Sequence, residues 1–338
     1  MGRGRDAGTI YAMSQIAFVF PGQGSQFVGM GRALAESSHA AATVFQTADD
    51  ALGEPISRLA WEGPEEDLNR TENSQPALLA ASIAYLAAVR ERWAALGVDM
   101  PAPAFAAGHS MGQYTALVAA GALDLADAVR LVRTRGTLMQ TSGAGREGRM
   151  AALIGLDDAK LPELVAQASV FGIFGVANRN SPGQVVVSGE RAAVEAALGI
   201  AKTLGAKRAL ELPVSVAAHS PLMAEAAEGM AKVLAGITFR DPHTPLLANA
   251  DAALITTADA CRAELVNHLT TGVDWVGAVQ AMHAQGVTTF IEVGPGRVLT
   301  GLIKRIVSDA VTIALDDPAA SDRLNVPFAD AASVDSDV

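Results

Sequence analysis

Ile16-Ala17-Phe18-Val19-Phe20 is an unbroken apolar run of strand length, stopped by Pro21-Gly22. With no polar alternation, it predicts a strand covered on both faces, as in a parallel α/β sheet. From Ser38 to Trp93 the apolar positions recur three and four apart, which predicts helices. The longest is expected from Gln75 to Trp93, capped by Asn73 or Ser74. Its apolar stretch, Pro76 to Val89, is interrupted by Ser82 and halted by Arg90, so it predicts a core helix rather than a membrane span. Ala104-Phe105-Ala106-Ala107 predicts a second buried strand. A helix is expected from Gln113 to Ala120, ended by Gly121. Another is expected from Leu125 to Gln140, where Asp124 and Asp127 suit the unpaired N–H groups of a helix start.

Between Gly148 and Leu212 the rhythm shortens. Strands are predicted at Arg149 to Leu156, Gly172 to Asn178, Gln184 to Ser188 and Lys207 to Leu212, with helices at Asp158 to Ser169 and Glu190 to Leu204. This βαββαβ order is that of a ferredoxin-like module. Further strands are expected at Pro245 to Ala248 and Thr289 to Val293. The expected fold class is therefore α/β. A large α/β-hydrolase-like domain with a parallel sheet (residues 15–144 and 214–316) is interrupted by a ferredoxin-like subdomain (145–213). A leader (1–14) and an acidic tail (317–338) complete the expected organisation.

The predicted strand before Gly108 and the predicted helix after Gly112 give Gly108-His109-Ser110-Met111-Gly112 its meaning. A serine between two glycines at a strand-to-helix turn is the nucleophile-elbow pattern, which pushes the hydroxyl above the sheet. The N–H groups at the helix start then face the group under attack and stabilise an oxyanion there. The helix from Leu125 carries an apolar stripe of Ala128, Val132 and Met139, and Arg135 falls on that stripe. Arg130 and Arg133 point elsewhere. A guanidinium on a buried stripe needs a partner. The residues leave two open: a core carboxylate in a structural ion pair, or a substrate carboxylate held in a bidentate fork.

Composition narrows the partners. The net charge of -11 and 5% aromatic content argue against nucleic acid and against an anionic membrane. One cysteine, Cys261, leaves no disulfide framework and no thiolate metal cluster, and with no apolar signal core in the leader the expected compartment is the cytoplasm. Against this acidic background, Arg297, Lys304 and Arg305 recur on one helical face. Among six histidines, His219 is distinguished only by its place, just before a helix opened by Ser220-Pro221 at the junction of the two predicted domains.

Taken together, these segments resemble the malonyl-CoA:acyl-carrier-protein transacylases and the related polyketide-synthase acyltransferase domains. The resemblance rests on Phe18-Val19-Phe20-Pro21-Gly22-Gln23-Gly24-Ser25-Gln26, Ser74-Gln75-Pro76-Ala77-Leu78-Leu79, the elbow through Gln113-Tyr114, and Arg135-Gly136. It continues through Asn180-Ser181-Pro182-Gly183-Gln184, His219-Ser220-Pro221-Leu222-Met223 and Glu292-Val293-Gly294-Pro295-Gly296, in family order from about Gln15 to Leu315.

The resemblance implies Ser110 as acyl-accepting nucleophile, His219 as general base, and the backbone N–H groups of Gln23 and Met111 as oxyanion hole. It further implies Arg135 as the grip on the malonyl carboxylate and Asp274 as the group that orients the histidine. Malonyl-CoA and an acyl carrier protein are the implied substrate and partner, with no metal and no cofactor beyond the phosphopantetheine that the partner carries. A monomer is expected. Arg297, Lys304, Arg305, Lys202, Lys207 and Arg208 are candidate contacts for the two anionic partners. Supply of extender units to fatty-acid synthesis is the expected role. A free-standing polyketide acyltransferase is the alternative, and the small Ala218 leaves room for methylmalonyl. A serine hydrolase is the third reading, but it expects an acid and then a histidine late in the chain.

Overall fold

The apolar run Ile16–Phe20 becomes the middle of the larger of two sheets among the described residues. The computed structural model describes residues 15–97, 100–142, 147–214 and 216–316; the expected leader and tail, 1–14 and 317–338, lie outside the described residues. In chain order the strands are β1 (Gln15–Phe20), β2 (Phe105–Gly108), β3 (Gly148–Ile154), β4 (Phe174–Ser181), β5 (Gln184–Glu190) and β6 (Arg208–Glu211). They are followed by β7 (Leu246–Leu247), β8 (Leu254–Ile255), β9 (Val273–Asp274), β10 (Val287–Val293) and β11 (Val311–Leu315).

The large sheet runs β11-β10-β1-β2-β7-β8, parallel from β11 to β7 and antiparallel only at the β8 edge. Residues 16–20 of β1 are all buried, which accounts for the missing polar alternation. Helices cover both faces and form two apolar layers. One is centred on Thr71–Ala95, the other on Trp275–Ala284 and Val298–Ile306. No helix among the described residues is long and apolar enough to cross a membrane.

The second sheet runs β6-β3-β5-β4-β9. Its first four strands are antiparallel, and in their own chain order they lie 4-1-3-2, the ferredoxin-like arrangement that the βαββαβ rhythm predicts. The fifth strand comes from elsewhere. β9 pairs parallel with β4, Asn178 opposite Val273 and Arg179 opposite Asp274, so residues beyond the expected insertion complete its sheet.

The long helix differs from expectation at its start. It runs Thr71–Ala95, with Pro76 inside it and no side-chain cap from Asn73 or Ser74. Asn73 instead donates Nδ2 to the Asp67 carbonyl, and Ser74 donates Oγ to the Thr71 carbonyl. The start lies earlier than expected because neither Asn73 nor Ser74 acts as the cap. The extra turn matters because it carries Gln75 into the core, fully buried. There it meets the helix Leu125–Thr141 at Gly136, where any Cβ would collide with the backbone of Thr71 and Glu72. That close approach sets Arg135 beside Gln75.

Candidate active site

The elbow follows from a steric constraint at each glycine. A Cβ on Gly108 would overlap the backbone of Gly112 and Gln113, and one on Gly112 would overlap the Phe20 carbonyl. Only glycine permits β2 to turn directly into the helix Gly112–Ala119 beneath the end of β1. Ser110 takes the strain, with φ of 51° in the left-handed region. Its hydroxyl stands 2.8 Å from His219 Nε2.

His219 is held as firmly as the serine. It is buried, has φ of 58°, and precedes Ser220, whose Oγ accepts the Leu222 N–H. Its Nδ1 lies 3.0 Å from the His268 carbonyl and 2.9 Å from that of Thr271. Carbonyls only accept, so Nδ1 carries the proton and Nε2 offers its lone pair to the Ser110 hydroxyl. Burial, reinforced by the nearby Arg135 charge, pushes the His219 pKa down to about 3. The resting imidazole is neutral and ready to accept a proton.

These contacts correct one expectation. Asp274 does not orient His219, because two backbone carbonyls already occupy Nδ1. The Asp274 carboxylate instead accepts the Gly277 N–H at the start of Trp275–Ala284 and lies 3.7 Å from Arg179.

Arg135 is 1% exposed, and among the described residues no carboxylate pairs with it. Its Nη1 donates to Gln75 Oε1 at 2.8 Å and its Nη2 to Ser110 Oγ at 3.3 Å, while Nε has no partner. The Tyr114 ring lies 5.9 Å from its guanidinium carbon. A fixed, charged, half-satisfied fork therefore faces the serine hydroxyl. Gln23 reaches the same place from the loop after β1, where a Cβ on Gly22 would overlap the His109 carbonyl. Among the described residues the N–H groups of Gln23 and Met111 donate to no protein acceptor, whereas the Ser110 N–H is taken by Asn249.

Gln23, Ser110, Arg135 and His219 line one cavity of about 650 Å³ between the two sheets. Its walls are largely apolar, from Met139, Met150, Val186 and Val214 to Leu299 and Leu302, and Ala218 lies beside His219. The small sheet also reaches the elbow. Asn180 on β4 sits 2.8 Å from His109 Nε2, and the His109 ring stands edge-on to Trp275.

The six basic candidates lie outside the cavity wall. Arg305 donates to Gln184 Oε1 and Arg297 pairs with Asp316. Lys304 lies with Arg297 in a separate shallow groove beside β11. Lys207 packs over Gly155 near the Pro182-Gly183 turn, Lys202 closes the helix Arg191–Thr203, and Arg208 opens β6. Sequence reasoning passed over Gln75 and Asn249. Gln75 lies in the Ser74–Leu79 segment on which the resemblance rests, a signal that could have found it, whereas nothing around Asn249 marks it.

Residues 17–321 match the family model of the acyl transferase domain. The chain is 48% identical over 308 residues to the malonyl CoA-acyl carrier protein transacylase of Escherichia coli strain K12, covering 91% of this chain and 98% of that one. Its fold superposes on an acyl carrier protein S-malonyltransferase from Vibrio cholerae with a TM-score of 0.87 and 45% identity, covering 92% of this chain and all of that one. It also superposes, with a TM-score of 0.86 and 44% identity over 91% of this chain and 98% of the other, on a malonyl-transacylase solved in complex with a type II polyketide-synthase acyl-carrier protein. With an elbow serine, a neutral histidine and a buried arginine converging on one cavity, the chain belongs to the acyl transferase family.

Proposed function

We propose that this chain moves a malonyl group from malonyl-CoA to the phosphopantetheine thiol of an acyl carrier protein, through an ester on Ser110. The relatives bear that activity in their names, and the site supplies a group for each step. His219 Nε2 takes the Ser110 proton as Oγ attacks the thioester carbonyl. The tetrahedral oxyanion is held by the N–H groups of Gln23 and Met111. The C–S bond breaks, the proton passes from His219 to the leaving sulfur, and CoA departs. The carrier thiol then gives its proton to His219, attacks the ester, and releases Ser110 with its proton restored.

One observation carries the choice of acyl group. Arg135 is a buried cation with no carboxylate partner among the described residues, and its Nη2 stands 3.3 Å from the acyl-accepting oxygen. A carboxylate one carbon beyond the attacked carbonyl completes its fork. The apolar wall of Met139, Met150, Val186 and Leu302 suits the pantetheine arm and keeps water from the ester. The structural-ion-pair reading of Arg135 finds no carboxylate partner among the described residues. A hydrolase reading has no use for a buried cation beside the acyl group. Fatty-acid synthesis is the favoured setting, with the cytoplasm as compartment. The basic side chains of Arg305 and Lys304, on the helix Val298–Ile306 that lends Leu299 and Leu302 to the cavity wall, serve as carrier contacts.

The test is mass measurement of the intact chain after exposure to malonyl-, methylmalonyl- and acetyl-CoA. A malonyl adduct is expected that disappears in Ser110→Ala. Equal labelling by acetyl-CoA would remove the carboxylate grip, and rapid release of free malonate without carrier protein would favour hydrolysis.

A further inference from the structure

The backbone groups of the elbow pose a separate question. Within the turn, the Gly112 N–H donates to the His109 carbonyl and the Gln113 N–H to the Ser110 carbonyl. Gly108 N–H is satisfied by Gln113 Oε1. Apart from the Met111 N–H, the Gly108 carbonyl and the Ser110 N–H remain, on either side of His109. Both are met by one side chain. Asn249 Oδ1 accepts the Ser110 N–H at 2.9 Å, and Asn249 Nδ2 donates to the Gly108 carbonyl at 3.0 Å. The pairing of Ala106 with Leu246 brings β2 and β7 side by side, so the residues just past their ends face one another. The amide has one workable orientation, since a flip would set donor against donor and acceptor against acceptor.

Asn249 is itself fixed. It is 4% exposed; its N–H donates to Glu264 Oε1 at 2.8 Å, and its carbonyl accepts the Asp274 N–H at 2.6 Å. Glu264 belongs to the helix Ala258–Asn267. Immediately beyond that helix are the His268 and Thr271 carbonyls that hold His219 Nδ1. One stretch of chain, 249–274, thus holds both members of the reacting pair: the serine through an amide side chain, the histidine through two carbonyls.

We propose that Asn249, backed by Glu264, is a positioning residue that sets the serine against its base. It also takes the Ser110 N–H out of the oxyanion site, so that the donors left there are those of Gln23 and Met111. The inference rests on the reading of Ser110 as nucleophile. Loss of the amide frees a residue held at positive φ to relax, and an oxygen displaced by about 1 Å from its line of attack loses on the order of 10²-fold in rate.

The experiment measures steady-state transfer from malonyl-CoA and, separately, the rate at which Ser110 reacts with a small fluorophosphonate. Asn249→Ala is expected to lower kcat and the probe rate by about 10²-fold, with KM for malonyl-CoA within about twofold. Glu264→Gln keeps an oxygen for the Asn249 N–H and is expected to stay near the unmutated rate. Glu264→Ala is expected to fall part of the way toward Asn249→Ala. Should Asn249→Ala fail to fold, Asn249→Ser and Glu264→Ala carry the same comparison. Probe and transfer rates within twofold of the unmutated chain in folded Asn249 variants would overturn the proposal, as would a loss confined to KM. A chain that reacts with the probe but never with malonyl-CoA would refute the substrate assignment instead, and the probe rates of the variants would still decide the role of Asn249.

Discussion

Replacing Arg135 with methionine should cut activity and raise stability at once. In the free protein the guanidinium is buried, holds one amide oxygen and one hydroxyl, and leaves Nε unpartnered. A buried cation of this kind is poorly repaid, and a well-packed apolar replacement of similar length is often neutral or stabilising by about 1–4 kcal/mol. Methionine strands Gln75 Oε1, which offsets part of that, so a net gain of about 1 kcal/mol is expected. With malonyl-CoA the balance reverses. A forked, charge-assisted grip on a buried carboxylate contributes about 3–5 kcal/mol, or roughly 10²- to 5 × 10³-fold in kcat/KM. Transfer of acetyl, which has no carboxylate, should be unchanged or faster. The assays are kcat/KM for the two thioesters and a urea melt of the free protein. Equal losses for malonyl and acetyl, with a lower melting midpoint, would show that Arg135 serves the fold rather than the substrate.

Three further outcomes are expected. Gly136→Ala drives a methyl into the backbone of Thr71 and Glu72 and should cost about 2–4 kcal/mol in a urea melt, with loss of malonyl preference as Arg135 shifts; a neutral change would contradict the packing described. Burial holds the imidazoles of His109, His219 and His268 below their ordinary range, so the unfolded chain takes up protons that the native chain refuses. Stability is then intact above about pH 6.5 and lost as pH falls toward the native values, about 3 for His219, at up to about 1.4 kcal/mol per pH unit for each group. His219→Gln should reduce the acid slope of the urea midpoint, and an unaltered slope would count against it. Arg305→Glu with Lys304→Glu should raise KM for carrier protein several-fold while sparing ester formation on Ser110, and an unchanged KM would dismiss these contacts.

What could be read from the sequence was what local pattern dictates. The apolar run of β1, the βαββαβ rhythm and the glycine spacing of the elbow are short-range signals, and each led to the right element. Arg135 was legible because a cation on an apolar stripe is physically conspicuous. His219 needed the domain junction as well as its own neighbours. The orientation of its ring was not legible, because carbonyl acceptors leave no trace in side-chain identity, and the resemblance put Asp274 in that role instead. β9, only two residues long, joins a sheet whose other strands lie well upstream, and no periodicity marks such a strand. Asn249 escaped for a similar reason: its partners are backbone atoms about 140 positions earlier.

The pairing of β9 with β4 bears on how such proteins can be recombined. Cut at its two covalent junctions, the four-stranded unit looks like an interchangeable cassette. Yet Val273-Asp274 forms its fifth strand, two residues after the Thr271 carbonyl that orients His219, and Asn180 on β4 sits against His109. A graft from a relative that leaves this third seam mismatched would fold around a misaimed imidazole. Chimeras in this family should therefore exchange β4 and residues 271–274 as one piece, though they lie nearly a hundred positions apart.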